Sequence, residues 1–407
     1  MKYKIALVFL LFFNLFFAQT VIKQDSVFAK KIKLFNTNFK EFEVLDNEIY
    51  AVTKNDCLIV FNFKKDKITK TKSGVISVAK NSNNEIIFVN KQNKIIHFKS
   101  GKTKQIKIQC EPYILVFDKN SNPIVISDKG LIYGDKIFEP LNVKHNHIFY
   151  GIKSMEDKKR VFMNPDLIFL DSKNRLWLTY DRGEFGEDIL FFDLEKKEFY
   201  TDNYLMIDTN YSLTKDEDDR YFQDLKKTFP DEIKVTVKDT LYKFPNQLPI
   251  YNPIRGIVEK EGKLFISQSL IHFSVDSHFS LLYDFDGGDF YKSFDLTKIL
   301  LEFVPYNKYE TDLHVNEFLG PLHLNKFNNS VYYYSDKGFF KIIEHKGKYD
   351  KEFIFKPWIN WSATNRNNLG SDINVTKFEF ISEKELVFLT TNNGIGYYNG
   401  TEVKYFQ

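Results

Sequence analysis

An all-β chain folded as a β-propeller is what this sequence predicts, and three observations predict it. Of 407 residues, 42 are Phe and 23 are Tyr, and these aromatics favour strands over helices. Hydrophobic residues make up 43%, enough for a substantial core and too many for a largely disordered chain. Short apolar runs separated by Asn or Gly turns recur along the chain. The runs are apolar at nearly every position, so they suit strands covered on both faces. The stacked sheets of a propeller cover them that way, and their closure into a ring removes exposed edges.

Taken in order, the chain begins with Lys2 and Lys4, an apolar run from Ile5 to Phe17 broken only by Asn14, and Ala18 before Gln19. That is the pattern of a secretory signal peptide over residues 1–18, too short for a comfortable membrane span. The remainder, 19–407, reads as a single propeller domain, exported to the periplasm or outside the cell. No later run is long and apolar enough to suggest a transmembrane segment in the mature chain. Basic and acidic residues number 57 and 54, and the two leader lysines supply two of the three net positive charges. A surface so balanced does not ask for nucleic acid or an anionic membrane. Cys57 and Cys110 fall in neighbouring repeats; two separate thiols are the simpler expectation, a disulfide the other.

Val27 to Phe35 reads as a lead-in strand. The repeats then turn at Asn47, Asn84, Asn122, Asn174, Gly262, Asn329 and near Lys384. Asn and Gly tolerate the positive φ of tight hairpins. The first three turns are 37 and 38 residues apart, about one blade each. Seven blades are expected, six and eight being the alternatives. An insertion around 204–253 separates the fourth repeat from the fifth. It holds a short amphipathic helix over Lys215 to Phe229, ended by Pro230, and a hairpin at Ile233 to Phe244.

The clearest repeat is Asp166 to Thr179: a strand, a turn at Asp171 to Asn174, then a strand with Trp177. Its Asp171-x-x-Asn174-x-Leu176-Trp177-Leu178-Thr179 resembles the repeat of two-component-regulator-type propellers, periplasmic sensor modules whose repeats read D-x-x-G-x-L-W-I-G-T-x-x-G-L. Gly130-Leu131 and Gly338-Phe339 are similar to its later Gly-aliphatic step. Trp stands in one repeat only, and the Gly-Thr pair is absent. The resemblance implies the blade architecture over most of the mature chain. It does not by itself transfer a sensor function.

Long segments fall at links between repeats (142–165, 204–253, 297–320, 356–374) and between second and third strands (180–188, 268–279). In a propeller these connections open on one face, so loop insertions there mark a candidate functional face. On it lie His145 and His147, two apart in one insert, with His272, His278, His314 and His323 in or near others. Without Cys ligands or a zincin helix these read as ordinary histidines, and no metal or cofactor is expected. Asp284 to Asp289 reads as a Gly-Gly hairpin rather than a calcium loop, lacking the distal Glu. Arginine is scarce; Arg160, Arg182, Arg255 and Arg366 fall where they can meet above the face. Asp181, Glu184, Glu187, Asp188, Glu310 and Asp312 are the carboxylates available for glycosidase chemistry, which needs two at a set separation. Trp358 and Trp361 in the last link can stack on a sugar or anchor a protein; pinning their own loop is the alternative.

No nucleophile elbow, phosphate loop or dinucleotide fingerprint is present. The leading expectation is a non-enzymatic binding or scaffold protein. It would hold a protein or glycan partner through Trp358, Trp361, Arg182, Arg366, His145 and His147. The alternatives are a carbohydrate-active enzyme, lyase or glycoside hydrolase, with its site on the same face, and a periplasmic sensor-like module.

Overall fold

The computed structural model describes residues 26–27, 29–32, 35, 38–143, 146–153, 160–183, 186–201, 252–271, 275–282, 299–301, 317–345, 348–357, 375–391 and 394–407. Apolar runs bounded by turn residues form antiparallel sheets whose spatial strand order follows chain order. The first sheet joins Phe39–Leu45, Glu48–Thr53, Cys57–Asn62 and Lys67–Ser73. The second joins Val75–Lys80, Ile86–Asn90, Lys94–His97 and Thr103–Gln105, and the third Pro112–Phe117, Pro123–Ser127, Gly130–Tyr133 and Lys136–Phe138. The fourth holds Leu167–Leu170, Arg175–Asp181, Glu187–Asp193 and Glu198–Thr201. The fifth holds Ile254–Lys260, Lys263–Ile271, Val275–Leu282 and Ile299–Leu301. Leu319–Asn325, Ser330–Ser335, Gly338–His345 and Lys348–Pro357 make the sixth; Val375–Phe380, Leu386–Thr390, Ile395–Tyr398 and Val403–Phe406 the last.

Each sheet shares one apolar cluster with the next. Tyr50 and Leu58 pack with Val78 and Phe88, and Ile87 and Val89 with Leu115 and Val125. Ile126 and Leu131 pack with Leu178 and Phe192, Trp177 and Phe191 with Ile257 and Leu264. Phe265 and Phe279 pack with Leu319 and Tyr333, Phe339 and Phe355 with Phe378 and Phe388. The last sheet returns to the first through Val387, Ile395, Tyr397 and Phe406 against Phe42, Ile49 and Phe61. This closed succession is an all-β propeller, as the composition implied. The first strand of each sheet is innermost, lining an axial channel.

The expected lead-in strand is two short ones. Ser26–Val27 pairs in parallel with Lys356 and Pro357, and Ala29–Ile32 with Val403 to Phe406. They lie on the outer edges of the sixth and last sheets. The chain then returns through hydrogen bonds from Gln407 N–H to the Ile32 carbonyl and from Phe35 N–H to the Gln407 carbonyl, and buried Phe35 joins the closing cluster.

Two loops expected to be enlarged are tight instead. The strands of the fifth sheet run on until Ile271 faces Val275, leaving His278 paired with Gln268 on a strand. In the fourth sheet pairing runs on to Asp181 opposite Glu187, leaving only 182–186 as loop. Tyr180, Glu187, Gln268 and Ser269 are buried at these strand ends, and polar groups among them find partners there, such as Ile254 N–H on Glu187 Oε2 and Leu319 N–H on Ser269 Oγ. The 142–165 link carries a one-turn helix, Asn146–Phe149, and a two-stranded ribbon, Tyr150–Ile152 with Arg160–Phe162. The helix expected at 215–229, the hairpins at 233–244 and 284–289 and the leader lie outside the described residues. Cys57 and Cys110 are separate thiols.

Turn positions shift slightly. Positive φ falls on Asn84, Asn174 and Asn329 as expected, but on Asp46 and Ser121 where the following Asn was expected. Gly396 has a different reason for being glycine: a Cβ there would lie 2.1 Å from Cζ of Phe388. Gly396→Ala is therefore expected to lower stability by about 1–3 kcal/mol through overpacking. Gly151→Ala, whose Cβ would meet only Met163 Cγ at 3.4 Å, should be nearly neutral. Paired urea titrations check this.

Candidate functional site: the channel and its link-face rim

Inner strands start at the links and end at the short hairpins, so their first residues lie toward the link face. The channel encloses about 750 Å³ and is lined by inner-strand residues of every sheet. Its walls alternate apolar and charged groups. The sequences Phe39-Lys-Glu-Phe-Glu-Val-Leu45 and Val375-Thr-Lys-Phe-Glu-Phe380 explain why: with a strand period of two, Phe42, Phe378 and Phe380 enter the cores while Glu41, Glu43 and Lys377 face the axis, and a register shift between Phe39 and Glu41 lets Phe39 enter the core as well.

Deep in the channel the charges are matched. Lys377 Nζ donates to Glu43 Oε1 at 3.0 Å and to the Phe42 carbonyl at 2.8 Å. Lys80 Nζ donates to Glu379 Oε1 at 2.6 Å and to the Val44 carbonyl at 3.0 Å. Burial raises the Glu43 carboxyl even beside Lys377, while Glu43 and Glu379 lift Lys377. His323 is held down to about 3 by burial and neighbouring lysines; its Nε2 accepts from Phe380 N–H at 3.3 Å, so it is a neutral latch between the sixth and last sheets.

Toward the links the groups differ. Glu41 accepts from Val78 N–H at 2.8 Å and Ser77 Oγ–H at 3.2 Å, and burial pushes its carboxyl up to about 7. Asp166 accepts from Asp181 N–H at 2.8 Å and is also raised, by burial. Arg255 Nη1 donates to Asp181 Oδ2 at 2.6 Å and its Nε to the Ser269 carbonyl at 3.1 Å. Arg182 Nε donates to Asp188 Oδ2 at 2.6 Å and its Nη2 to the Ile148 carbonyl at 2.6 Å, tying the 182–186 loop to the helical turn at Asn146. Glu187 is only 5% exposed. Its Oε2 accepts from Ile254 N–H at 3.2 Å, joining the fourth and fifth sheets, and burial pushes it up to about 8.

Glu187 therefore carries a pH signature. Below about pH 4.5 folded and unfolded chains are both protonated there and nothing is lost. As pH rises towards 8 only the unfolded chain ionises, so stability falls by about 1.4 kcal/mol per pH unit from this group, then levels off. Glu187→Gln should remove that slope, so the variant gains on wild type between pH 5 and pH 8. Urea midpoints at the two pH values measure it.

Of the residues singled out in the sequence, Arg182 pairs with Asp188 in the fourth sheet, and Arg255, on the first strand of the fifth, pairs with Asp181. His147 sits in the one-turn helix of the third-to-fourth link. Arg160 begins the second ribbon strand, exposed. His145, Trp358, Trp361, Arg366, Glu184, Glu310 and Asp312 lie outside the described residues. Sequence reading missed Glu41, Asp166 and the deep lysine–carboxylate pairs; the period-two alternation of charge with Phe was their signal. Among the described residues no group of His, Cys, Asp and Glu is placed to hold a metal ion, and no helix is long and apolar enough to cross a membrane.

No protein-family model matches this chain, and no curated protein does. Solved structures similar to it are propellers at low identity. YCF48 bound to D1 peptide is 10% identical with a TM-score of 0.44, covering 91% of this chain and 92% of that one. The WD40 repeats of RRP9 are 10% identical with a TM-score of 0.43, covering 88% of each. The extracellular domain of a protein assigned to a hybrid two component system from B. thetaiotaomicron is 12% identical with a TM-score of 0.37. That match covers 90% of this chain and 46% of that one.

Proposed function

We propose that this chain, exported by the leader at 1–18, is a binding or scaffold propeller that holds a protein or glycan partner on its link face. The ring is read as one domain over 19–407, with an insertion around 204–253. Seven blades is our reading, taking each sheet of four or five strands as one blade, with six and eight the alternatives. The observation that carries the reading is the asymmetry of the two faces. On the hairpin face the connections stay short, with Asn81, Asp118 and Asp171 each accepting from backbone N–H groups two and four residues on. On the link face lie the long links and Arg182 and Arg255, each fixed by a carboxylate and a carbonyl. Rigid arginines at a rim suit polar recognition. Trp358, Trp361, Arg366, His145 and His147 belong to the same proposed surface.

The enzyme reading has less support. Asp181 and Asp188 are committed to arginines, and Glu187, whose carboxyl burial pushes up to about 8, is enclosed. Affinity co-purification of the tagged mature protein from the exported fraction of its host tests the proposal. A recurrent partner, lost on Trp358→Ala with Trp361→Ala, is expected. A chain that comes through alone, or a double variant that keeps its partner, would sink it.

A further inference from the structure

The charge balance of the whole chain conceals an uneven distribution. Residues 61–107 carry twelve lysines and two carboxylates, Asp66 and Glu85, in a chain whose net charge is only +3. This stretch supplies the outer strands of the first two sheets, Lys67–Ser73 and Thr103–Gln105. Several of its lysines are paired: Lys64 with Glu385, Lys91 with Asp56, Lys104 and Lys107 with Asp135. Asp66 is taken by Lys404, and Glu85 lies against His97. Among the described residues Lys67, Lys70 and Lys72 have no ion pair, and all three are exposed.

Their placement on the strand is specific. Lys72, Lys70 and Lys67 stand opposite Leu58, Val60 and Asn62 of the third strand. Leu58 and Val60 point towards the second sheet, and the intervening Phe61 points towards the last. Three residues separate Lys67 from Lys70, so a regular strand would put them on opposite faces. The register shift between Val60 and Phe61 inserts an extra residue and brings them to one face. The result is a row of three lysines in steps of about 7 Å, turned towards the second sheet. Lys70 Nζ lies 4.5 Å from the ring centroid of Phe98, and Lys72 Nζ 4.6 Å from that of Phe88. A ring face positions an ammonium without neutralising it. Glu48, on the same face two strands inward, accepts from the Tyr50 hydroxyl at 3.0 Å and leaves the row net positive. Lysines on an edge strand also discourage sheet pairing, but either face would serve for that. A bulge that gathers three on one face suits a ligand with negative charges in a row.

We propose that the seam between the outer strands of the first and second sheets binds a linear anionic glycan, a polysaccharide with carboxylate or sulfate groups on successive sugars, along Lys67, Lys70 and Lys72. Nucleic acid fits less well, because Phe88 and Phe98 already lie under lysines and offer bases no open stacking platform. A membrane surface fits less well too: the large apolar side chains exposed among the described residues, such as Leu141 and Ile152, are elsewhere.

The probe is a fluorescein-labelled octagalacturonate, titrated by anisotropy into the purified mature chain at low salt. Its methyl ester, an oligothymidylate and phosphatidylglycerol vesicles are the other arms. Saturable binding of octagalacturonate is expected, at least tenfold weaker once esterified. Lys67→Gln with Lys70→Gln and Lys72→Gln should weaken it at least tenfold. Lys173→Gln with Lys196→Gln and Lys384→Gln, at exposed turn positions of other sheets, removes the same charge and should leave binding unchanged. Lys70→Thr with Thr71→Lys keeps the net charge but moves one ammonium to the opposite face of the strand, and should weaken binding at least threefold. Absence of binding, binding that survives esterification, equal loss in the two triple variants, or wild-type binding by the Lys70–Thr71 exchange overturns the proposal. So does tighter binding of the oligothymidylate or the vesicles, which would assign the row to nucleic acid or to a membrane. The row lies on the outer wall rather than the link face, so this titration and partner capture succeed or fail independently.

Discussion

Asp171→Ala is expected to cost about 3–5 kcal/mol, the scale for breaking a buried ion pair by removing one partner. Asp171 is fully buried. Its Oδ2 accepts from Arg175 Nε and from Trp177 Nε1, both at 2.9 Å, while Oδ1 accepts from the N–H groups of Lys173 and Arg175 at 2.9 and 3.0 Å. One carboxylate thus closes the hairpin, neutralises a buried guanidinium and anchors the indole at the centre of the fourth-to-fifth cluster. Truncation strands a charge and an indole N–H together. The equivalent Asp118 accepts from Asn120 N–H, Asn122 and the Tyr133 hydroxyl and neutralises no buried cation. Asp118→Ala should therefore cost clearly less. Equilibrium urea unfolding of both variants gives the comparison, and equal losses would mean the buried arginine adds nothing.

The second large effect is at the ring closure. Phe61→Ala should destabilise by about 3–5 kcal/mol, as expected for emptying a buried aromatic site. Phe61 packs on Phe35 and on Phe406, with centroids 5.2 and 5.0 Å apart. Around the cluster, Lys64 pairs with Glu385 at 2.5 Å and Lys404 with Asp66 at 3.1 Å. Every other neighbouring pair of sheets is also joined by a direct link of chain. Among the described residues the last and first sheets meet through side chains, the strap at Ala29–Ile32 and the bond from Phe35 N–H to the Gln407 carbonyl. Opening there is the least expensive way to breach the ring, so Phe61→Ala should speed amide exchange in both Cys57–Asn62 and Val403–Phe406. Phe88→Ala, in a linked interface, should not couple the ends of the chain in this way.

Much of the fold was legible because strand, turn and strand each left a local mark. Apolar runs such as Ile86–Val89 and Leu386–Leu389 had to be covered on both faces, and Asn84, Asn174 and Asn329 supply the positive φ of their hairpins. What was not legible is set across the ring. Glu41 and Lys377 are more than 300 residues apart in sequence, and only closure brings their strands side by side. The loops expected at 180–188 and 268–279 were misjudged because polar pairs such as Tyr180 with Asp188 and Gln268 with His278 read as loop while their backbones still pair. The role of Asp171 was hidden for a related reason. Its spacing to Trp177 marked a repeat, but the hydrogen bond between them depends on the strand folding back.

The central claim is that a partner sits on the link face. Site-specific photo-crosslinking in the native host tests it most directly. Ile152, in the third-to-fourth link, and Phe327, in a hairpin turn of the opposite face, are 66% and 55% exposed, so a photoreactive residue at either should leave the fold intact. The account predicts a discrete adduct from position 152 and none from 327. An adduct from 327 without one from 152 would contradict it.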